Sequence, residues 1–176
     1  MSRLADTMTL EDFKELVLPV KNKLFRFALS FLKNEEEAKD VVQEVLIKIW
    51  HKGKEISFYN NIEAWCMTMV KNQSLDKLKS KHFNLPGVDD HKEIATYAPD
   101  PHHYSELSDT MKLIENTIET LPEKQKYVIR LRDIEGFSYQ EISEILELDL
   151  NQVKVNLFRA RKKIKHELLN AEAYGT

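Results

Sequence analysis

Residues 138–166 read SYQEISEILELDLNQVKVNLFRARKKIKH, and this stretch decides the fold of the C-terminal third. Ser138 followed three residues later by Glu141 is a capping box, the hydroxyl taking a first-turn N–H and the glutamate reaching back. The helix it opens runs to about Leu146, and Glu147-Leu148 make a short turn. Asp149 with Gln152 forms a second box and starts another helix. In that helix Val153, Leu157, Ala160, Ile164 and Leu168 recur at core spacing, so they pack on the helices before them. The pair is a helix-turn-helix.

Charge is segregated along the same unit. From Lys154 to His166 there are six Lys/Arg (Lys154, Arg159, Arg161, Lys162, Lys163, Lys165) and no acid, whereas Glu106 to Val153 holds five basic and eleven acidic residues. Such segregation points to a phosphate-contacting face. Asn151, Gln152, Lys154, Val155, Asn156, Phe158 and Arg159 face outward in the N-terminal half of the last helix, the half that reaches base edges in a major groove. Asn, Gln and Arg make paired hydrogen bonds to bases. Lys162, Lys163 and Lys165 come later and suit phosphates. A solvated amphipathic helix with a basic end would also favour its own dipole. Pattern, turn and charge together favour DNA.

The 176 residues suffice for one ordinary domain or two small ones, and the net charge is −3. That average hides the distribution. Residues 1–81 carry 14 basic and 12 acidic groups, 82–105 carry 1 and 4, and 106–176 carry 11 and 13. A basic stripe on an acidic body limits non-specific DNA binding while keeping a local contact site. The one cysteine, Cys66, excludes an intramolecular disulfide. Its neighbours Trp65, Met67 and Met69 make it a buried thiol in a helix, without the low-pKa setting of a nucleophile. The N-terminus lacks the apolar run of a signal peptide and no window approaches membrane-spanning length, so a cytoplasmic protein is expected.

Gly53, Pro86-Gly87, Pro99, Pro101, Pro122, Gly136 and Gly175 fall at junctions, and Pro19 alone lies inside a helical pattern, where it should kink or restart the segment. Between these marks the apolar period is helical throughout, so the fold class is all-α. A first helical region spans about Leu10 to Leu32, with Phe13, Leu16, Val20, Leu24, Phe27, Ala28 and Phe31 near one stripe. Asn34 and Glu37 form a capping box for a helix reaching Trp50, with Ala38, Val41, Val42, Val45, Leu46, Ile49 and Trp50 inward. Asn60 or Asn61 caps a third helix to about Lys81. Residues 1–81 thus form a first small domain. Residues 82–105, with three prolines and four acids, read as a flexible linker. Fully extended, it would span up to roughly 80 Å. Residues 106–176 form a second domain, whose first helix is lined by Leu107, Met111, Ile114, Ile118 and Leu121 before Pro122 starts the next.

Two further surfaces stand out. Opposite the apolar stripe of the second helical segment lie Asp40, Gln43, Glu44, Ile47 and Lys48, an exposed isoleucine with a charged rim that suits protein docking. An ordinary solvated face is the competing reading. From His51 to Lys81 the chain mixes Phe58, Tyr59, Asn60, Asn61, Trp65, Lys71, Asn72, Asp76, Lys77, Lys79 and Lys81. Aromatic faces stack on unpaired bases and lysines hold the backbone, although Trp65 falls in its helix's apolar stripe and is expected in the core. His82, His91, His102 and His103 with Asp89, Asp90 and Asp100 collect in the linker, but no ligand pair sits at fixed spacing on a rigid element, so no metal site is expected. No phosphate-binding loop or nucleophile motif occurs, so neither cofactor nor catalysis is expected.

Two blocks of sequence resemble the bacterial sigma factors of the extracytoplasmic-function group. One is Glu36-Glu37-Ala38-Lys39-Asp40-Val41-Val42-Gln43-Glu44-Val45 through Trp50, then Ala64-Trp65, Asn72 and Asp76-Lys77-Leu78-Lys79. The other is Leu121-Pro122-Glu123-Lys124-Gln125, Leu131-Arg132, Glu135-Gly136-Phe137-Ser138-Tyr139-Gln140-Glu141-Ile142 and Val153-Lys154 through Leu157-Phe158-Arg159-Ala160-Arg161. Together they cover almost everything outside linker and termini. The resemblance implies a subunit that binds core RNA polymerase, directs it to promoter DNA and helps open the duplex. It places Asp40, Gln43, Glu44, Ile47 and Lys48 against the polymerase. It places Phe58, Asn60, Asn61, Asn72, Lys77 and Lys79 at the minus-ten element. Asn151, Gln152, Lys154, Val155, Asn156, Arg159 and Lys162 would meet the minus-thirty-five element. It also implies an anti-sigma factor as a partner.

Three positions depart from the common pattern of that group: Glu147 replaces a turn glycine, Val155-Asn156 stand where Ser-Arg is common, and Lys79 replaces a frequent arginine. The alternative reading is a helix-turn-helix regulator that binds DNA without joining the polymerase. It explains the second domain equally well and leaves the Asp40–Ile47 stripe without a task.

Overall fold

The computed structural model describes residues 8–53, 61–83 and 108–174. They belong to two compact units, Met1–Tyr97 and Ala98–Thr176. Every regular element among the described residues is helical, as the apolar period requires.

In the first unit α1 (Leu10–Leu16) opens on Thr9, whose hydroxyl accepts from the Asp12 N–H while Asp12 returns the bond to the Thr9 N–H. Pro19 breaks the helical run: a 3-10 turn over Leu18–Val20 intervenes, and α2 (Lys21–Leu32) restarts beyond it. The break shifts the phase of the stripe. Leu16, expected inward, is exposed, and Val17 is fully buried in its place. Lys33 ends α2 in the left-handed region at φ 53. Asn34 then caps α3 (Glu35–Lys52), its Oδ1 accepting from the Glu37 N–H at 3.0 Å. Three glutamates in the first turn and His51 and Lys52 in the last complement the helix dipole. Gly53, at φ 60 and ψ −137, stops α3 in a conformation that side chains disfavour. Of the two candidate caps for α4 (Ile62–Phe83), Asn61 serves, accepting from the Ala64 N–H at 3.0 Å. Asn60 lies outside the described residues.

Helices α2, α3 and α4 pack against one another. Leu24, Phe27, Ala28 and Phe31 meet Ala38, Val41, Val42, Val45 and Ile49, with Cys66, Met67 and Val70 as the third side. Two tryptophans expected inside sit at the rim instead. Trp50, near the end of α3, is exposed on one face while its ring meets Phe13 edge-on at 5.5 Å. Trp65 is half-buried under the Lys52 ammonium, 5.6 Å from the ring centroid. An amphipathic ring is well suited to such an edge.

The second unit begins with α5 (Asp109–Glu119), capped by Ser108. Pro122 precedes α6 (Glu123–Ile129), which widens into a π turn at Arg130–Ile134 and is closed off by Gly136 at φ +84. Then come α7 (Tyr139–Leu146) and α8 (Leu150–Tyr174). Helix α8 is the hub, touching α5, α6 and α7. Val153, Leu157 and Ala160 on its inner side bury against Ile118, Val128, Ile129, Leu131, Ile142 and Ile145. Met111, expected to line α5, is exposed in that helix's first turn. Leu107 lies outside the described residues. A partly buried ion network ties α5 to α6: Arg130 reaches Glu115 at 2.9 Å and Glu119 at 2.8 Å, and Lys126 reaches Glu119 at 3.1 Å.

Candidate functional site

Helix α3 presents Asp40, Gln43, Glu44, Ile47 and Lys48 on the side away from its buried stripe, and all five are exposed. Ile47 is 50% exposed, an apolar centre between charged neighbours. The stripe is laced to α4. Lys77 Nζ lies 3.7 Å from Asp40 Oδ2, and Lys81 pairs with Glu37. Gln73 bridges two members of the stripe, donating from its amide to Glu44 and accepting from the Lys48 ammonium. Periodicity gave no sign of Gln73, because its role depends on which helix lies across from it.

Along α4 the residues expected to meet DNA are treated unequally. Asn72 and Lys79 are exposed, while Lys77 is half-buried beside Asp40. Lys71, counted among the basic groups of this segment, is buried. Asn61 is half-buried and its side-chain oxygen is spent on the α4 cap. Phe58, Tyr59 and Asn60 lie outside the described residues. Burial, with a smaller contribution from the Glu63 charge, pushes the Cys66 thiol up to about 12, which suits a packing residue.

The helix-turn-helix is built as its capping signals require. Ser138 accepts from the Glu141 N–H at 3.2 Å and Glu141 accepts from the Ser138 N–H at 2.7 Å. Asp149 and Gln152 make the same reciprocal pair at 2.7 and 3.1 Å. The turn between passes through Glu147 at φ 55 and ψ 43. Asn151, Gln152, Lys154, Val155, Phe158, Arg159 and Lys162 are all exposed on α8. Asn156 is half-buried and its amide donates to the Gln152 carbonyl at 2.8 Å.

The six basic residues of α8 divide in two. Arg161 holds Asp133 with two bonds, 2.6 and 2.9 Å, which also keeps its guanidinium more firmly protonated. Lys163 pairs with Glu167. Lys154, Arg159, Lys162 and Lys165 have no carboxylate partner among the described residues. A groove beside α7, walled by Tyr139 and Phe158, gathers Lys154, Arg161, Lys162 and Lys165. Arg132 stacks over Tyr139 at 5.0 Å and donates to the Phe137 carbonyl at 2.8 Å, fixing the entry to α7. The whole arrangement offers cations and amides to a polyanion.

Among the described residues no group of three His, Cys, Asp or Glu is placed to hold a metal, and no helix is long and apolar enough to cross a membrane. His91, His102 and His103 of the linker cluster lie outside those residues.

Two family models match: Sigma-70 region 2 over residues 16–83, and Sigma-70 region 4 over residues 111–164. The chain is 26% identical over 165 residues to the ECF RNA polymerase sigma-E factor of Haemophilus influenzae, covering 89% of this chain and 87% of that one. Among solved structures it is similar to the sigma factor RpoE of Bartonella quintana in complex with the anti-sigma factor NepR. That likeness has a TM-score of 0.64 and 25% identity, over 90% of this chain and 98% of the other. CnrH in complex with the cytosolic domain of CnrY matches with a TM-score of 0.62 and 25% identity, over 93% and 90% of the two chains.

Proposed function

We propose, for a chain that belongs to the extracytoplasmic-function group of sigma-70 factors, a division of promoter recognition between its two compact units. The chain binds core RNA polymerase and directs it to promoters in transcription initiation. In our reading, residues 1–81 hold the polymerase and the minus-ten element, 82–105 are a tether, and 106–176 hold the minus-thirty-five element. Asp40, Gln43, Glu44, Ile47 and Lys48 dock on the polymerase through an apolar centre and a polar rim. Phe58, Asn60, Asn61, Asn72, Lys77 and Lys79 engage the opened strand, stacking and backbone charge being the two means available to them. Asn151, Gln152, Lys154, Val155, Arg159 and Lys162, with Asn156 at the edge, face the upstream element.

One observation carries this reading: a single chain joins the exposed Ile47 stripe to a recognition helix on which four cations have no carboxylate partner among the described residues. A regulator confined to DNA needs the second and has no use for the first. We assign the chain no catalytic step, metal or cofactor of its own, and place its work in the cytoplasm with the polymerase. RpoE and CnrH are each seen bound to a partner protein. An anti-sigma factor covering the α3 stripe or the recognition helix would hold this chain inactive.

The test is direct binding of the purified chain to the core RNA polymerase of its host, with Asp40→Lys/Glu44→Lys as the comparison. Reversing two charges in a polar rim sets like charges against each other, and a loss of about a hundredfold in affinity is expected. Unchanged affinity in the double variant would remove the α3 stripe from the interface. No binding by the folded parent chain would overturn the division altogether.

A further inference from the structure

Between Gln152 and Arg159 the exposed apolar side chains of α8 are Val155 and Phe158, 42% and 67% exposed. Phe158 is the most exposed large apolar side chain among the described residues. They stand three positions apart on one helix, so their side chains adjoin. Two of the polar groups near them are otherwise engaged. Asn156 donates to the Gln152 carbonyl and Arg161 is held by Asp133. The centre of the reading face, between Gln152 and Arg159, therefore offers apolar surface where hydrogen-bonding side chains would be expected. In a major groove an apolar side chain distinguishes bases chiefly through the 5-methyl group of thymine.

We infer that Val155 and Phe158 read thymine methyl groups in the upstream promoter element, and that Asn156 secures the helix instead of reading a base. This inference rests on α8 being the helix that enters the upstream element. Of the two positions where this chain departs from the Ser-Arg pair, it assigns specificity to Val155 and withdraws it from Asn156. Gln152, Lys154 and Arg159 flank the apolar patch and supply hydrogen bonds at its borders, so one or two thymines fall between polar contacts.

The experiment uses holoenzyme made from the full chain and its host's core polymerase. Promoter fragments are selected from the host genome, and each thymine of the upstream element is replaced singly by deoxyuridine, which removes only the methyl. At one or two positions promoter binding should weaken about three- to fivefold, the scale of one buried methyl. Val155→Ala or Phe158→Ala should weaken binding to thymine DNA by a similar factor and abolish the difference from uridine at the corresponding position. Asn156→Ala should leave the difference intact. All three side chains lie outside the fully buried core, and urea unfolding of each variant checks that the second unit folds. Equal binding of thymine and uridine DNA at every position overturns the inference, as does full discrimination retained by both apolar variants. A holoenzyme that selects no promoter at all overturns the sigma-factor reading, and this inference with it.

Discussion

At Glu147 the backbone is left-handed, φ 55 and ψ 43, in the turn on which α7 and α8 hinge. An L-residue in that region costs about 1–2 kcal/mol. Glycine removes the cost but frees the unfolded chain, which returns about 0.4–1 kcal/mol. Glu147→Gly should therefore raise the stability of the second unit by about 0.5–1 kcal/mol, read as a higher urea midpoint. A lower midpoint would show that the contacts of the Glu147 side chain outweigh the backbone relief. Cys66 gives a second residue-scale expectation. Burial disfavours the thiolate and pushes the thiol up to about 12 from an ordinary value of about 9.0. The folded state thus prefers the neutral form, and that contribution to stability is full below pH 9 and lost as pH rises toward 12. Native protein at pH 8 should resist iodoacetamide and react only on unfolding. Rapid alkylation of folded protein would contradict the burial. Both features were readable from sequence, Glu147 from the missing glycine and Cys66 from its apolar neighbours. Arg161 was not: it counts as surface charge by composition, yet Asp133, 28 positions away, holds it.

Helix starts were legible because a cap is a local contact. Asn34, Ser138 and Asp149 bond to backbone within three residues of themselves, so spacing alone identifies them. Inward faces were legible only while one helical phase persisted. Pro19 reset the phase and exchanged Leu16 for Val17, while Trp50 is covered on one side alone, by Phe13, and Met111 is exposed in the first turn of its helix. Contacts between helices were not legible at all, and the network joining α5 and α6 is the largest such omission. Arg130 serves two carboxylates whose side chains keep 28% and 21% exposure, and Lys126 serves one of them. Breaking a buried pair by removing one partner costs about 3–5 kcal/mol, and partial access to water reduces that. Arg130→Met should then destabilise the second unit by about 2 kcal/mol, measured by urea unfolding of the full chain. A change below about 0.5 kcal/mol would place the network with ordinary surface pairs.

For the whole molecule, net charge is a poor guide because opposite surfaces cancel. A value of −3 coexists with a recognition helix on which four cations lack a carboxylate partner among the described residues. That helix alone offers few phosphate contacts, and salt weakens each of them. The α3–α4 face likewise brings only a few polar groups, one of them, Lys77, already beside Asp40. Neither unit is equipped for tight promoter binding alone. Joining two modest sites on one chain makes the second encounter intramolecular, which multiplies affinity by about 10²–10⁴ without any new contact. Cutting the chain between residues 83 and 108 at an introduced protease site should therefore separate two properties. Core-polymerase binding by the first unit should persist, whereas promoter affinity of the holoenzyme should fall about a hundredfold or more. Adding the severed second unit in excess should restore it as a saturable function of concentration. Full promoter affinity after cutting, with the released second unit washed away, would mean that the first unit and the polymerase carry recognition by themselves, leaving the charge pattern of α8 in need of another partner.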